Sequence, residues 1–117
     1  MKTLSLSAAA LVASAPFALA PGASAQSAPA VVDDCGPVTG TVRIADDAAA
    51  TPDLARVSDA EARAAALRAV PGATVTEVEL EEEDGFLVYE VDLQQGDAEF
   101  EVTIDAGSGE VLCTERD

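Results

Sequence analysis

One alanine-rich helical segment followed by three runs of alternating side chains is the feature that most constrains this fold. The helical segment covers Ser58–Val70 and stops at Pro71-Gly72, a pair that interrupts helices. Each later run has an apolar residue at every second position, the period of a strand with one buried face. These apolar residues are Val78 and Leu80, then Leu87, Tyr89, Val91 and Leu93, then Phe100, Val102 and Ile104. With a turn and a last short strand after Asp105, the pattern predicts an α+β fold, one alanine-rich helix packed on a four-stranded antiparallel β-meander.

The start of the helix carries its own signal. Ser58 and Glu61 have the spacing of a capping box, in which each side chain accepts a hydrogen bond from the other residue's main-chain N–H. Small apolar residues then recur on one face of the helix, namely Ala62, Ala66, Ala69 and Val70. We expect these small side chains to let the helix lie close against the sheet, whose strands supply the larger apolar groups.

The polar positions of the three runs are mostly acidic, and they form the candidate partner surface. If the alternation holds, one outer face carries seven acids and two apolar residues, namely Glu77, Glu79, Glu81, Phe86, Val88, Glu90, Asp92, Glu99 and Glu101. We expect Phe86 and Val88 to be exposed there as a modest apolar contact spot. Two interpretations stay open. The face is either a solvated surface that keeps the protein soluble, or a docking surface for a basic peptide, a protease or a divalent ion.

The N-terminus is typical of a signal peptide. An apolar run, Leu4–Leu19, follows one positive charge, and Ala23-Ser24-Ala25 supplies the small residues that signal peptidase requires. We expect cleavage before Gln26, with Ala18–Ala20 as a second candidate. The run is too short and too rich in serine and alanine to span a membrane stably. The sequence therefore predicts a periplasmic or secreted protein that is not inserted in the membrane after cleavage.

Removal of residues 1–25 divides the rest of the chain into two parts. It leaves 92 of the 117 residues, and it changes the net charge from −16 to −17 because Lys2 is the only charged residue lost. We expect residues 26–52 to be a flexible and edge segment that carries Cys35, and residues 53–117 to be one small domain. So short a chain buries a small core, which makes a covalent link valuable.

Cys35 and Cys113 are the only cysteines, and in an exported chain they predict one disulfide. A zinc site is disfavoured because the chain has no histidine, and no C-x-x-C motif supports redox exchange. We expect Gln26–Asp34 to be a flexible lead-in. Val38–Ile44 alternates weakly and is expected to form a short edge strand, which the disulfide would hold beside the last strand.

The residue inventory excludes most catalytic chemistry. A chain with no histidine has no Ser-His or Cys-His pair, and its only lysine, Lys2, lies in the predicted signal peptide. A carboxylate pair needs an apolar setting that raises one pKa. Here the acids occupy solvent-facing positions and turns, so we expect their pKa values to stay low. The strong negative charge also excludes nucleic acid as a partner. We expect no enzyme, no cofactor and no resident metal.

Four motifs in order resemble those of the PepSY domain family, small α+β modules of secreted and cell-envelope proteins. They are the E-A-x-x-x-A-L helix at Glu61–Leu67, the V-x-G-A stop at Val70–Ala73, the V-Y-E-V strand at Val88–Val91 and the D-x-x-x-G-E-V turn at Asp105–Val111. The resemblance covers about half of the chain. It implies one helix on an antiparallel sheet, and it implies that the last motif shapes a turn and is not a reactive site.

The resemblance also implies a role in binding and restraining peptidases. PepSY-type modules occur in prosegments of thermolysin-like proteases, whereas no protease domain follows here, so we expect any inhibition to act in trans. The function expected is that of an exported, non-catalytic binding module that modulates a peptidase or another envelope protein with a basic surface. Two alternatives remain, an acidic envelope protein that binds divalent cations and an accessory or sensory domain for a membrane partner.

Overall fold

The computed structural model describes residues 29–45 and 48–117, which form a sheet covered on one face by a helix. The predicted signal peptide lies outside these residues and stays a prediction. A short 3₁₀ helix, Pro52–Leu54, leads into the long helix. The other elements are β1 (Val31–Val32), α1 (Asp59–Ala69), β2 (Thr74–Glu83), β3 (Phe86–Gln95), β4 (Ala98–Asp105) and β5 (Val111–Arg116). Among the residues described, no helix is both long enough and apolar enough to cross a membrane.

The sheet has five strands in the order β1-β5-β4-β3-β2, not the four that the sequence predicts. The strands from β2 to β5 form the expected antiparallel meander. The fifth strand is β1, which pairs in parallel with β5 and places Val31 opposite Thr114. A two-residue strand has no period to detect, so the sequence predicts a flexible lead-in at these residues. That assignment is wrong for Val31–Val32.

The prediction of an edge strand at Val38–Ile44 is also wrong. Apart from one bridge between Arg43 and Phe86, this segment has no strand pairing. It runs beside the start of β3, where Ile44 N–H donates to the Gly85 carbonyl and Leu87 N–H donates to the Val42 carbonyl. The disulfide between Cys35 and Cys113 is present, with a Cα–Cα distance of 5.9 Å.

The long helix begins and ends within one residue of the predicted bounds. Ser58 Oγ accepts from Glu61 N–H at 3.1 Å, and Glu61 Oε1 accepts from Ser58 N–H at 3.0 Å, so both halves of the capping box are present. The buried helical residues are Ala62 and Ala66 of the predicted face and Ala65, which the sequence pattern does not predict, whereas Ala69 is half-buried. With no large side chain at these positions, α1 lies close to the sheet, as the alanine stripe predicts.

The core lies between α1 and the inner face of the sheet. Leu87, Val91, Leu93, Val102 and Ile104 fill it from β3 and β4, each with at most 1% of its surface exposed. Burying an aliphatic side chain of this size stabilises a fold by about 1.5–3 kcal/mol. The inner face is therefore fixed by packing, and every second residue of the same strands must point outward.

Candidate partner surface

The strand registers place seven acids on the outer face. Glu79 lies opposite Glu90, and Asp92 lies between Glu77 on β2 and Glu101 on β4. We call the following residues the acidic face: Glu77, Glu79, Glu81, Glu90, Asp92, Glu99 and Glu101. Glu115 on β5 continues it, because it pairs with Glu101. Alternation along the sequence does not predict Glu115 on this face, because the last run is short and the pairing register shifts after Thr103.

Basic side chains do not neutralise this face. The one salt bridge among the described residues joins Arg63 to Asp59 on the exposed side of α1. Two other arginines lie over aromatic rings, Arg43 at 4.8 Å from the centre of the Phe86 ring and Arg116 at 5.8 Å from that of Phe100. Directly opposed like charges destabilise a sheet by some tenths of a kcal/mol per pair. The acidic face is thus a surface on which a cation relieves repulsion.

Burial, together with the neighbouring acids, raises the pKa values of three of these carboxyl groups, Glu90, Asp92 and Glu101, which corrects the expectation that they stay low. Burial raises the pKa of Glu90 to about 9, with further contributions from a hydrogen bond to Glu83 and from the charges of Glu101 and Glu81. Burial also raises the pKa of Asp92 and of Glu101, and neighbouring acids add to both shifts. Glu90 therefore keeps its proton at neutral pH, and the acidic face carries one negative charge fewer.

Three of these carboxyl groups are close enough together to contact one ion. The ligand atoms of Glu79, Glu81 and Glu90 all lie within 4.8 Å of one another. Oxygen ligands of this kind suit Ca²⁺ and Mg²⁺. A cation here would have to displace the proton of Glu90, so its binding would strengthen as pH rises.

The expected apolar contact spot on the outer face is not exposed. Val88 has no exposed surface and Phe86 is half-buried. The segment that contains Gly40 lies over this end of the face, and a Cβ on Gly40 would stand 3.2 Å from Phe86 Cβ. Val38 N–H donates to Asp84 Oδ2 at 2.8 Å and fixes the start of the segment. The prediction that Phe86 and Val88 form an exposed contact spot is therefore wrong.

Asp105 holds this covering segment in place. Its carboxylate is 1% exposed and accepts from Thr41 N–H at 3.1 Å, from Thr41 Oγ1 at 2.8 Å, from Ser108 Oγ at 2.7 Å and from Gly107 N–H at 3.1 Å. Burial acts to raise the pKa of Asp105, but these hydrogen bonds outweigh burial and lower it. Gly109 completes the turn with a φ of 82°. The residue shapes a turn, as expected, and also anchors a segment 64 positions away.

A groove lies on the opposite side of the sheet, at its free edge. Val78, Leu80 and Tyr89 form its floor, and the chain from Pro52 to Glu61 forms its wall around about 570 Å³. Tyr89 is buried and its hydroxyl donates to the Val57 carbonyl at 2.7 Å, which ties the wall to the floor. The sequence pattern does not predict this groove, because alternation gives the face of Val78 and Leu80 but not how far α1 extends over them.

One known family matches this chain. A family profile described as "Peptidase propeptide and YPEB domain", the PepSY domain, matches residues 56–115. No curated protein and no solved structure matches the chain. The matched range contains α1, β2 to β4, the turn that Asp105 shapes and all of β5 except its last residue. Because the match spans half of the chain and all of its main fold, this protein belongs to the PepSY domain family.

Proposed function

We propose that this protein is an exported, non-catalytic module that binds a basic surface on a peptidase or another cell-envelope protein and thereby modulates it. The PepSY family is associated with peptidase propeptides and inhibitory modules, and its domains are typically non-catalytic. The observation that carries the proposal is the acidic face, whose carboxyl groups oppose one another across three strands and form no salt bridge with a described residue.

The energetics of the acidic face favour a partner with positive charge. Crowded carboxylates repel one another, so a basic surface placed over them gains attraction and also removes an existing penalty. Electrostatic attraction of this kind speeds association and is weakened by salt. The proposed complex therefore forms readily at low ionic strength and loosens as salt is added.

Two further observations support export. PepSY domains are typically extracellular or periplasmic, and the Cys35–Cys113 disulfide suits an oxidising compartment. The predicted signal peptide agrees with both. We propose that the protein acts outside the cytoplasm, where exported peptidases are its available partners.

Divalent-cation binding is the alternative function, and it has less support. One observation favours it, the proximity of Glu79, Glu81 and Glu90. Against it, Ca²⁺ takes six to eight oxygen ligands, and the raised pKa of Glu90 leaves a proton on one of the three groups at neutral pH. An accessory role beside a membrane protein would use the same acidic face. It differs from the proposed function only in the identity of the partner.

The test is a titration of the mature, disulfide-linked protein against the exported peptidases of its host, read as the rate of peptide cleavage at low and high salt. We expect saturable inhibition that weakens with salt. The matched variants are Glu79→Lys on the acidic face and Glu110→Lys outside it, which change the net charge equally. Loss of inhibition only in Glu79→Lys supports the acidic face. Equal effects of the two variants, or no inhibition, would overturn the proposal for those peptidases.

A further inference from the structure

We infer that the edge of β2 binds an extended partner segment in which apolar and basic side chains alternate, by adding that segment to the sheet as a strand. The inference rests on the proposed function, because the segment belongs to the basic protein that the acidic face attracts. Beyond the proposed function, the inference names the residues of β2 that recognise the segment and the sequence pattern that these residues select.

The first support is the free edge itself. β2 is the last strand in the sheet order, and no described strand pairs with its far side. A register shift interrupts β2 at Thr76, but pairing with β3 is regular from Glu77 to Glu83. This regular stretch offers a row of main-chain N–H and C=O groups to another strand, as in complexes formed by β-augmentation.

The inner side of that edge selects apolar side chains. Val78 and Leu80 pair with Val91 and Tyr89, so they point to the inner face, yet both stay only half-buried. A strand added beside β2 would place every second side chain next to them, where it continues the floor of the groove. Arg56 is the only basic residue in the lining.

The charge of the groove wall limits what can enter it. Asp59 and Glu61 accompany Arg56 there, so the lining carries more negative than positive charge. A carboxylate that entered would meet two acids. The floor is apolar, and it offers an aliphatic side chain contact without requiring it to lose hydrogen bonds to water.

The outer side of the same edge selects basic side chains. Glu77, Glu79 and Glu81 project there, and residues directly opposite on neighbouring strands have Cβ atoms about 4.5–5.5 Å apart. Lysine or arginine at alternate positions of the added strand would meet these carboxylates. A second copy of this chain is disfavoured as the occupant, because pairing two β2 edges brings acids opposite acids.

The test uses two labelled peptides of identical composition against the full mature protein. One alternates valine and lysine over seven residues, and its isomer groups the lysines at one end. Fluorescence anisotropy gives each Kd at low and high salt. We expect the alternating peptide to bind at least about tenfold more tightly, since only its pattern matches both sides of the edge. Hydrogen exchange should show new protection of main-chain amides within Glu77–Glu83.

A matched pair of variants locates the apolar half of the recognition. Leu80→Lys places a charge on the groove floor and should abolish the preference for the alternating peptide. Leu67→Lys makes the same change at an exposed helical position, 39% accessible, and should leave the preference unchanged. Denaturation curves for both variants show that each is folded. The exchange measurement on the unaltered protein tests the inference without any substitution.

The outcomes separate this inference from the proposed function. Equal, salt-sensitive binding of the two peptides would overturn strand addition and leave the acidic face as a binding surface. Protection that appears at β1 and β5 in place of β2 would overturn it too, as would self-association of the protein through β2. Failure of both peptides to bind also overturns it, while the peptidase titration decides the proposed function independently.

Discussion

Glu79 lies directly opposite Glu90 across β2 and β3, so two carboxyl groups face each other where the sheet could have held an ion pair. Neither has a salt bridge to a described residue. Burial, with contributions from Glu83, Glu101 and Glu81, raises the pKa of Glu90 to about 9, so this carboxyl group is uncharged at neutral pH and does not repel Glu79. The proton that Glu90 retains lowers the negative charge of the acidic face in the absence of a basic partner. Because the folded protein holds it more tightly than the unfolded chain does, the stability of the fold depends on pH.

We predict that the free energy of unfolding falls as the pH rises from about 5 to about 9. In the unfolded chain Glu90 ionises near its ordinary pKa of 4.5, whereas in the folded protein it ionises at about 9. Between these values the folded state holds the extra proton, so a rise in pH favours unfolding. Because water screens this partly exposed group, we expect a loss of about 2 kcal/mol. Urea denaturation at a series of pH values measures it.

Glu90→Gln is the decisive variant for this pH dependence. Glutamine resembles the protonated acid, so the variant should lose most of the slope and exceed the parent protein in stability at alkaline pH. Glu110→Gln removes a carboxylate outside the acidic face and should retain the slope. A slope that survives in Glu90→Gln would contradict the assignment of the proton to that residue.

We predict that Asp105→Asn lowers the free energy of unfolding by about 2–4 kcal/mol, because an amide presents an N–H₂ group to a pocket lined by donors. Thr41→Val removes one partner and leaves the carboxylate, so it should have about half that effect. The lowered pKa of Asp105 gives it the opposite pH dependence to Glu90. Its stabilisation is present above its ordinary pKa of 3.8 and is lost as the pH falls through the folded value. A loss below about 0.5 kcal/mol in Asp105→Asn would refute the anchoring role.

Local pattern explains why most of the fold was predictable. The capping pair Ser58 and Glu61 lie three residues apart, and each alternating run carries its own period. A pair of residues with φ above zero, Asp84 and Gly85, joins β2 to β3 in a tight turn that suits a hairpin. Information of this kind resides in a few neighbouring residues, so it can be read without any knowledge of the tertiary contacts.

The features that the sequence did not reveal depend on distant pairs. Val88 alternates like an exposed residue, but a segment held by Thr41 and Asp105 covers it, and those two residues are 64 positions apart. The raised pKa of Glu90 likewise follows first from burial and then from Glu83, Glu101 and Glu81, which the folded sheet brings near it. Alternation assigns acids to a face but does not give the burial and spacing that decide their protonation.

We predict that CaCl₂ raises the melting temperature no more than NaCl at the same ionic strength. The described residues bring together three carboxyl groups, Glu79, Glu81 and Glu90, and one of these is protonated at neutral pH. General screening by salt relieves repulsion on the acidic face, so both salts should stabilise the fold. A saturable rise specific to calcium, larger at alkaline pH, would favour the cation-binding alternative over the proposed function.

We predict that replacing both cysteines, Cys35→Ser with Cys113→Ser, lowers the free energy of unfolding by about 2–4 kcal/mol. The cross-link spans 78 positions, so its loss frees a long loop in the unfolded chain. In the folded state, β1 pairs with β5 through only two residues, Val31 and Val32, so we expect β1 to need the nearby disulfide to stay docked.

Loss of the link should therefore act on β1 before it acts on the meander. Relative to the parent protein, hydrogen exchange in the double variant should accelerate more at β1 than at β3. Denaturation measures the loss of global stability. Because Cys113 is buried, 7% exposed, serine also introduces a hydroxyl there, and the double alanine variant separates that effect from loss of the bond. Unchanged stability together with unchanged exchange at β1 would show that Asp105 and Thr41 hold the N-terminal segment without the disulfide.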